Sequence, residues 1–247
     1  MKANRLKMAV FKLGSCSGCV LQLLNVGLPS LLKFINIAYF PLLKSKNVIG
    51  AYDVGLVEGS VSTKEHVMAV KKIRERSKLL IALGSCACFG GLQASEKDCR
   101  RSKSDYRISV THPIDPCGID EYVPVDFYLK GCPFEGEELI TLLHTLSKGA
   151  KPYFRERSVC FECKLQEIPC LMEREKAPCL GSITLGGCGA ICPLMGKPCE
   201  GCRGPSSDVN LSSTMESFSD FGIPPEEFFY KLRKYAGKAF GSAKLEG

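Results

Sequence analysis

Cysteine is the residue that most constrains this chain. Fifteen occur in 247 residues, and eight of them fall between Cys160 and Cys202, where Gly and Pro abound and apolar periodicity is weak. Such a stretch cannot build a core from its own side chains, so something else must hold it. A disulfide framework fits poorly, because the count is odd and the chain is not small. The opening MKANRL runs straight into a strand-like stretch, without an apolar leader or twin-arginine pair, so the expected compartment is the reducing cytoplasm. There, this many thiols point to metal.

The rest of the composition sets broad limits. With 45% hydrophobic and 24% charged residues, extensive disorder is excluded and a real core can form. No apolar run reaches bilayer-spanning length; the nearest, residues 28–43, contains Lys33 and Pro41. No membrane association is expected.

The first half alternates short apolar strands with helices. Strands are expected at residues 7–13 (KMAVFKL), 52–57 (YDVGLV), 78–83 (KLLIAL) and 125–129 (VDFYL), and helices at 20–32, 63–77 and 136–148. This pattern argues for an α/β domain over residues 1–150, with a parallel sheet covered on both faces. Residues 151–247 form a second region, small, irregular and cysteine-rich, with one amphipathic helix expected at 224–239.

Three expected strand ends carry the chemistry of the first region: Gly14-Ser15-Cys16-Ser17-Gly18-Cys19, Gly84-Ser85-Cys86-Ala87-Cys88 and Lys130-Gly131-Cys132-Pro133. In open parallel sheets the functional crevice lies at the carboxyl ends of the strands, so these loops should converge there. Glycine beside each cysteine lets backbone N–H groups approach sulfur, and a helix starting near Val20 would aim its positive end at an anionic group. Cys16, Cys19, Cys86 and Cys132 make a complete tetrathiolate. Zinc also accepts four thiolates, but usually from two close pairs; one pair plus two remote cysteines favours an iron–sulfur cluster. Cys88 competes with Cys86, which is preferred because it directly follows the Gly-Ser turn.

In the second region the eight cysteines divide most simply into Cys160, Cys163, Cys170 and Cys179, and Cys188, Cys192, Cys199 and Cys202. Cys192 is followed by Pro193, as in ferredoxin cluster runs, where the last cysteine can serve the other cluster. Two zinc sites are the bland alternative. Cys88, Cys99 and Cys117 are left as packed or partly exposed thiols. His66, His112 and His144 have no ligand spacing, and no catalytic triad, carboxylate pair or phosphate loop is evident.

The formal charge of +7 would ordinarily suggest an anionic partner. A [4Fe–4S] core held by four thiolates is a 2− unit, however, and three of them would bring +7 to +1. The basic side chains are scattered and not interleaved with aromatics, so nucleic acid is not expected to bind.

At GSCSGC (14–19), VEGSV (57–61), GSCACFGG (84–91), KGCP (130–133) and PCLGSITLGGCGAICPLMGKPCEGC (178–202), the chain resembles the small subunit of [NiFe] hydrogenases over nearly its whole length. The resemblance implies a flavodoxin-like N-terminal domain holding a proximal cluster and a C-terminal domain holding medial and distal clusters, three [4Fe–4S] in all. Carried over by position, Cys16, Cys19, Cys86 and Cys132 are the proximal set. Cys160, Cys163, Cys170 and Cys179 correspond to the distal set, and Cys188, Cys192, Cys199 and Cys202 to the medial set. Membrane-associated and periplasmic members usually place a histidine where this chain has Cys160, and many have three medial cysteines where Cys192 here supplies a fourth. The chain is therefore similar to the cytoplasmic, multisubunit branch, above all to sulfhydrogenase delta subunits.

The resemblance implies an electron wire between a nickel–iron large subunit and iron–sulfur and flavin subunits that reduce NAD(P), with no catalytic nickel–iron centre in this chain. F420-linked or heterodisulfide-reductase-linked hydrogenases are the alternative settings. The related complex I subunit uses adjacent cysteines in its first motif, and a zinc-stabilised scaffold is the remaining rival. Glu58 in VEGS either orders the proximal site or is a surface carboxylate at a strand end.

Overall fold

A computed structural model describes residues 5–95, 113–154 and 156–241. The chain divides into two compact units, Met1–Tyr153 and Phe154–Gly247. Among the described residues, no helix is long and apolar enough to cross a membrane.

The first unit is built on five parallel strands: β1 (Leu6–Lys12), β2 (Ile35–Tyr39), β3 (Tyr52–Glu58), β5 (Ser77–Leu83) and β7 (Phe127–Leu129). Their order is β2-β1-β3-β5-β7, the flavodoxin-like arrangement with its switch point between β1 and β3. Both faces are covered. Leu80 and Ala82 of β5 pack with Val70 and Ile73 of helix α3 (Lys64–Arg76). The alternate residues Ile81 and Leu83, which the pleat turns to the other face, are buried as well. Helix α3 starts where Thr63 Oγ1 accepts the His66 N–H at 3.1 Å, and it ends with Arg74 and Arg76, matching the helix dipole at both ends.

The expected helix at residues 20–32 is two pieces, α1 (Gly18–Asn25) and α2 (Leu28–Leu31). Gly27 breaks it in the left-handed region at φ 81°. Strand β2, hidden in the apolar run 28–43, was not expected; it pairs along β1. A two-stranded antiparallel ladder, β4 (Val61–Thr63) with β6 (Pro113–Cys117), was also unforeseen. The segment after β5 is not a bare loop but two short helices, α4 (Gly84–Phe89) and α5 (Gly91–Ala94). Helix α6 (Gly136–Ser147) follows the expected range closely and meets α1 and α2.

The second unit is more ordered than its sequence suggests. Three short helices, α7 (Val159–Leu165), α8 (Leu171–Glu175) and α9 (Ile191–Leu194), lie within the cysteine-rich stretch. Two more follow, α10 (Leu211–Asp220) and α11 (Pro225–Gly241), the latter kinked at Ala236. Asn210 caps α10 by accepting the Ser213 N–H at 2.8 Å. The stretch 160–202, expected to lack a core of its own, is joined by apolar side chains from α10 and α11. Leu180, Ile183, Phe218, Phe228, Leu232 and Phe240 are buried, and a Cβ on Gly201 would meet Leu180 at 3.0 Å and Phe240 at 3.7 Å. The C-terminal helices thus add apolar side chains to Leu180 and Ile183 of the cysteine-rich stretch.

Candidate metal centres

In the first unit, sheet register builds the site. Lys12 pairs with Glu58, Glu58 with Leu83, and Leu83 with Leu129, so four strands end in one row. Cys16 stands four residues beyond that row, and Cys86 and Cys132 three residues beyond it. Cys19 lies in the first turn of α1. The Ser85 N–H donates to the Gly131 carbonyl at 2.8 Å, tying the Cys86 and Cys132 loops together.

Cys19, Cys86 and Cys132 are each shifted by neighbouring thiols. Burial pushes Cys19 up to about 12, with Glu58, Cys86 and Cys132 adding to it. Burial raises Cys132 to about 11, with Cys86 and Cys16 contributing, and Cys86 is raised by burial and by Cys16. The Gly18 N–H donates to Cys16 Sγ at 3.4 Å, and the backbone at Phe134 does the same for Cys19. Two glycines form a cradle that a side chain would fill: a Cβ on Gly84 would stand 2.3 Å from Cys19 Sγ, and one on Gly91 2.6 Å from Cys86 Sγ.

Cys88 takes the other direction. It is 3% exposed in the core, with Sγ facing the carbonyls of Ala82 and Leu129 at 3.8 and 3.9 Å. Cys117 is buried in the same apolar cluster, facing the Val61 carbonyl. His66 caps and contacts the Ser62–Thr63 turn, and His144 lies against Phe34. Cys99 and His112 lie outside the described residues.

Glu58 is not a surface carboxylate. It is 1% exposed, and its Oε2 accepts the Val20 N–H of α1 at 3.1 Å. Part of the helix's positive end, expected to face the anionic group, is therefore engaged by the chain's own carboxylate. Gln93 escaped the sequence reading: its Nε2 donates to the Gly14 carbonyl at 3.3 Å, and Cys86 Sγ donates to its Oε1 at 3.3 Å. The break at Gly90 and Gly91 between α4 and α5 hides this pairing from any helical period.

In the second unit, Cys160 is pushed to about 12 by burial and then by Cys179, Cys163 and Cys170. Cys163 rises to about 11 by burial and by Cys179 and Cys170. Cys163 also feels Cys188, across the two expected sets. Cys188, raised to about 11, and Cys199, raised well above its ordinary value, are both shifted by burial and both feel Cys202. Cys192, exposed on α9, is raised by burial and by Glu200. The sets touch, because the Cys199 N–H donates to Cys179 Sγ at 3.2 Å. Gly181 leaves room beside Cys160 and Cys179, where a Cβ would sit 3.2 and 3.5 Å from their sulfurs.

Among the described residues, no three His, Cys, Asp or Glu side chains close around a single-ion position. The donor chemistry and the glycine cradles fit polynuclear clusters: clustered thiols with backbone N–H groups aimed at sulfur and a buried carboxylate holding one loop.

These features define an α/β protein with cysteine loops gathered at its strand ends. Residues 16–146 match the family described as NADH ubiquinone oxidoreductase, 20 Kd subunit. The chain is 40% identical over 237 residues to sulfhydrogenase 2 subunit delta of Pyrococcus furiosus, covering 94% of this chain and 99% of that relative. It is 26% identical over 265 residues to an iron-sulfur subunit of the F420-non-reducing hydrogenase of Archaeoglobus profundus, covering 81% and 82%. The structure of an NAD+-reducing [NiFe]-hydrogenase in the H2-reduced state superimposes with a TM-score of 0.52 at 27% identity, over 62% of this chain and 96% of that one. The chain belongs to the NADH ubiquinone oxidoreductase 20 Kd subunit family and, within it, is a hydrogenase subunit. The match at 16–146 takes in the complex I relatives weighed above; the eight-cysteine stretch lies beyond it.

Proposed function

We propose that this chain is the electron-relay small subunit of a multisubunit [NiFe] hydrogenase and holds three [4Fe–4S] clusters. The carrying observation is the convergence of Cys16, Cys19, Cys86 and Cys132 at one aligned row of strand ends. These four would hold the proximal cluster in the domain of residues 1–150. In residues 151–247, Cys160, Cys163, Cys170 and Cys179 would hold the distal cluster, and Cys188, Cys192, Cys199 and Cys202 the medial one. When bound, such clusters supply one-electron carriage between a nickel–iron large subunit and iron–sulfur and flavin subunits that reduce NAD(P). The relatives named as hydrogenase subunits support the partners, and the NAD+-reducing structural neighbour supports the acceptor. Abundant free thiols suit a reducing compartment, and we place the assembly in the cytoplasm.

The chain's residues have definite tasks in this reading. Glu58 fixes the start of α1 and so the position of Cys19. Gln93 Nε2 holds the Gly14 carbonyl in the loop that leads to Cys16. Backbone N–H groups at Gly18 and Cys199 donate to sulfur and favour added negative charge there. Burial of Cys19, Cys160 and Cys199 excludes water from their sulfurs.

Anaerobic purification of the native complex tests the proposal. About twelve irons and matching acid-labile sulfide per copy of this chain are expected, together with a nickel-bearing partner. Colourless, zinc-loaded protein overturns it.

A further inference from the structure

The loop Gly186–Ala190 carries Cys188 and is gripped from two sides by opposite charges. On one side stands Glu162, between Cys160 and Cys163 on α7. Its Oε1 accepts the Gly187 N–H at 2.6 Å and its Oε2 the Ala190 N–H at 3.0 Å, while the Cys188 thiol donates to Oε2 at 3.8 Å. Gly187 and Ala190 both take positive φ, 104° and 49°. Successive N–H groups in such turns form a concavity that collects an anion. Here the anion is a carboxylate of the same chain.

On the other side is Arg203, only 3% exposed, whose Nε donates to the Gly186 carbonyl at 2.7 Å. Its charge pulls the Cys188 thiol down, while burial and Glu162 push that thiol up. Glu162 also raises Cys163, so it faces both cysteine sets, whereas Arg203 acts on the loop of Cys188.

We propose that Glu162 and Arg203 are opposed positioning residues that set reduction potentials in the second unit. Arg203 eases reduction of the cluster held by Cys188, and Glu162 opposes reduction of that cluster and of the one held by Cys163. This rests on the proposed cluster ligation. The step is the gain of one electron from an added reductant, with no bond formed or broken and no proton moved. Added negative charge is stabilised by a nearby cation and opposed by a nearby carboxylate, and burial limits screening.

The test is a dithionite titration of the anaerobically purified complex, followed by paramagnetic resonance at fixed potentials. Arg203→Met should lower the reduced-to-oxidised ratio of one cluster about tenfold, equal to 59 mV for one electron. Arg203→Lys should restore most of it. Glu162→Gln should raise the ratio of two clusters together. Ratios within about twofold of wild type in both Arg203→Met and Glu162→Gln, at full iron content, overturn the inference. If Arg203→Met loses iron, Glu162→Gln decides: two clusters shifted upward support the pairing, and unmoved clusters refute it. Wild-type complex without iron would instead sink the proposed function.

Discussion

Replacing Gly84 with alanine should damage the proximal set in a way that a matched glycine elsewhere does not. Gly84 holds φ at 75°, and the added Cβ would lie 2.3 Å from Cys19 Sγ, a separation that real Cβ contacts essentially never show. The left-handed conformation costs a side-chain-bearing residue about 1–2 kcal/mol. Overpacking against a buried group adds about 1–3 kcal/mol, for a total of about 2–5 kcal/mol. Gly27 supplies the control: its φ is 81°, yet nothing lies within 4 Å of the added Cβ. Gly27→Ala should therefore cost only the conformational term, about 1–2 kcal/mol. Anaerobic urea unfolding monitored by circular dichroism gives the two midpoints, and iron analysis gives the loading. Gly84→Ala should unfold earlier than Gly27→Ala and lack about four irons per chain. Equal midpoints and full iron in both variants would refute the reasoning that Cys19 sulfur needs the space Gly84 leaves.

Cys86→Ala should lose about four irons per chain, whereas Cys88→Ala should keep its iron and lose about 1–2 kcal/mol of stability from the core, as read by iron analysis and thermal melting. Cys188→Ser should cut electron delivery to an external dye by more than about tenfold while leaving isotope exchange of dihydrogen at the large subunit; equal loss of both in an intact complex counts against a relay. The metal-free chain should weaken in alkali. Cys19 and Cys160 at about 12, and Cys132, Cys163 and Cys188 at about 11, lie above the ordinary 9.0, so burial favours their protonated forms. Their contribution is intact below about pH 9 and is lost as pH rises through the folded values. Denaturant midpoints should fall over that window in the metal-free chain and stay level in the loaded one, whose ligand thiols are already deprotonated.

The parallel sheet was legible because β1, β3 and β5 are short apolar runs closed by glycine, and the Gly-Ser turn pointed to Cys86 over Cys88. Strand β2 was not, because Ile35–Tyr39 sits inside a longer apolar run where strand and helix periods blur. The helices around the cysteines of the second unit are too short for periodicity to reveal. The burial of Glu58 follows from its place at the sheet's switch point, which strand order alone discloses. Arg203 and Glu162 read as ordinary charged residues until the loop of Cys188 folds between them.

The brevity of the links between Lys12, Leu83 and Leu129 and their cysteines has a mechanical consequence. Three or four residues leave almost no slack, so whatever the sulfurs grasp inherits the stiffness of a hydrogen-bonded sheet rather than the looseness of surface loops.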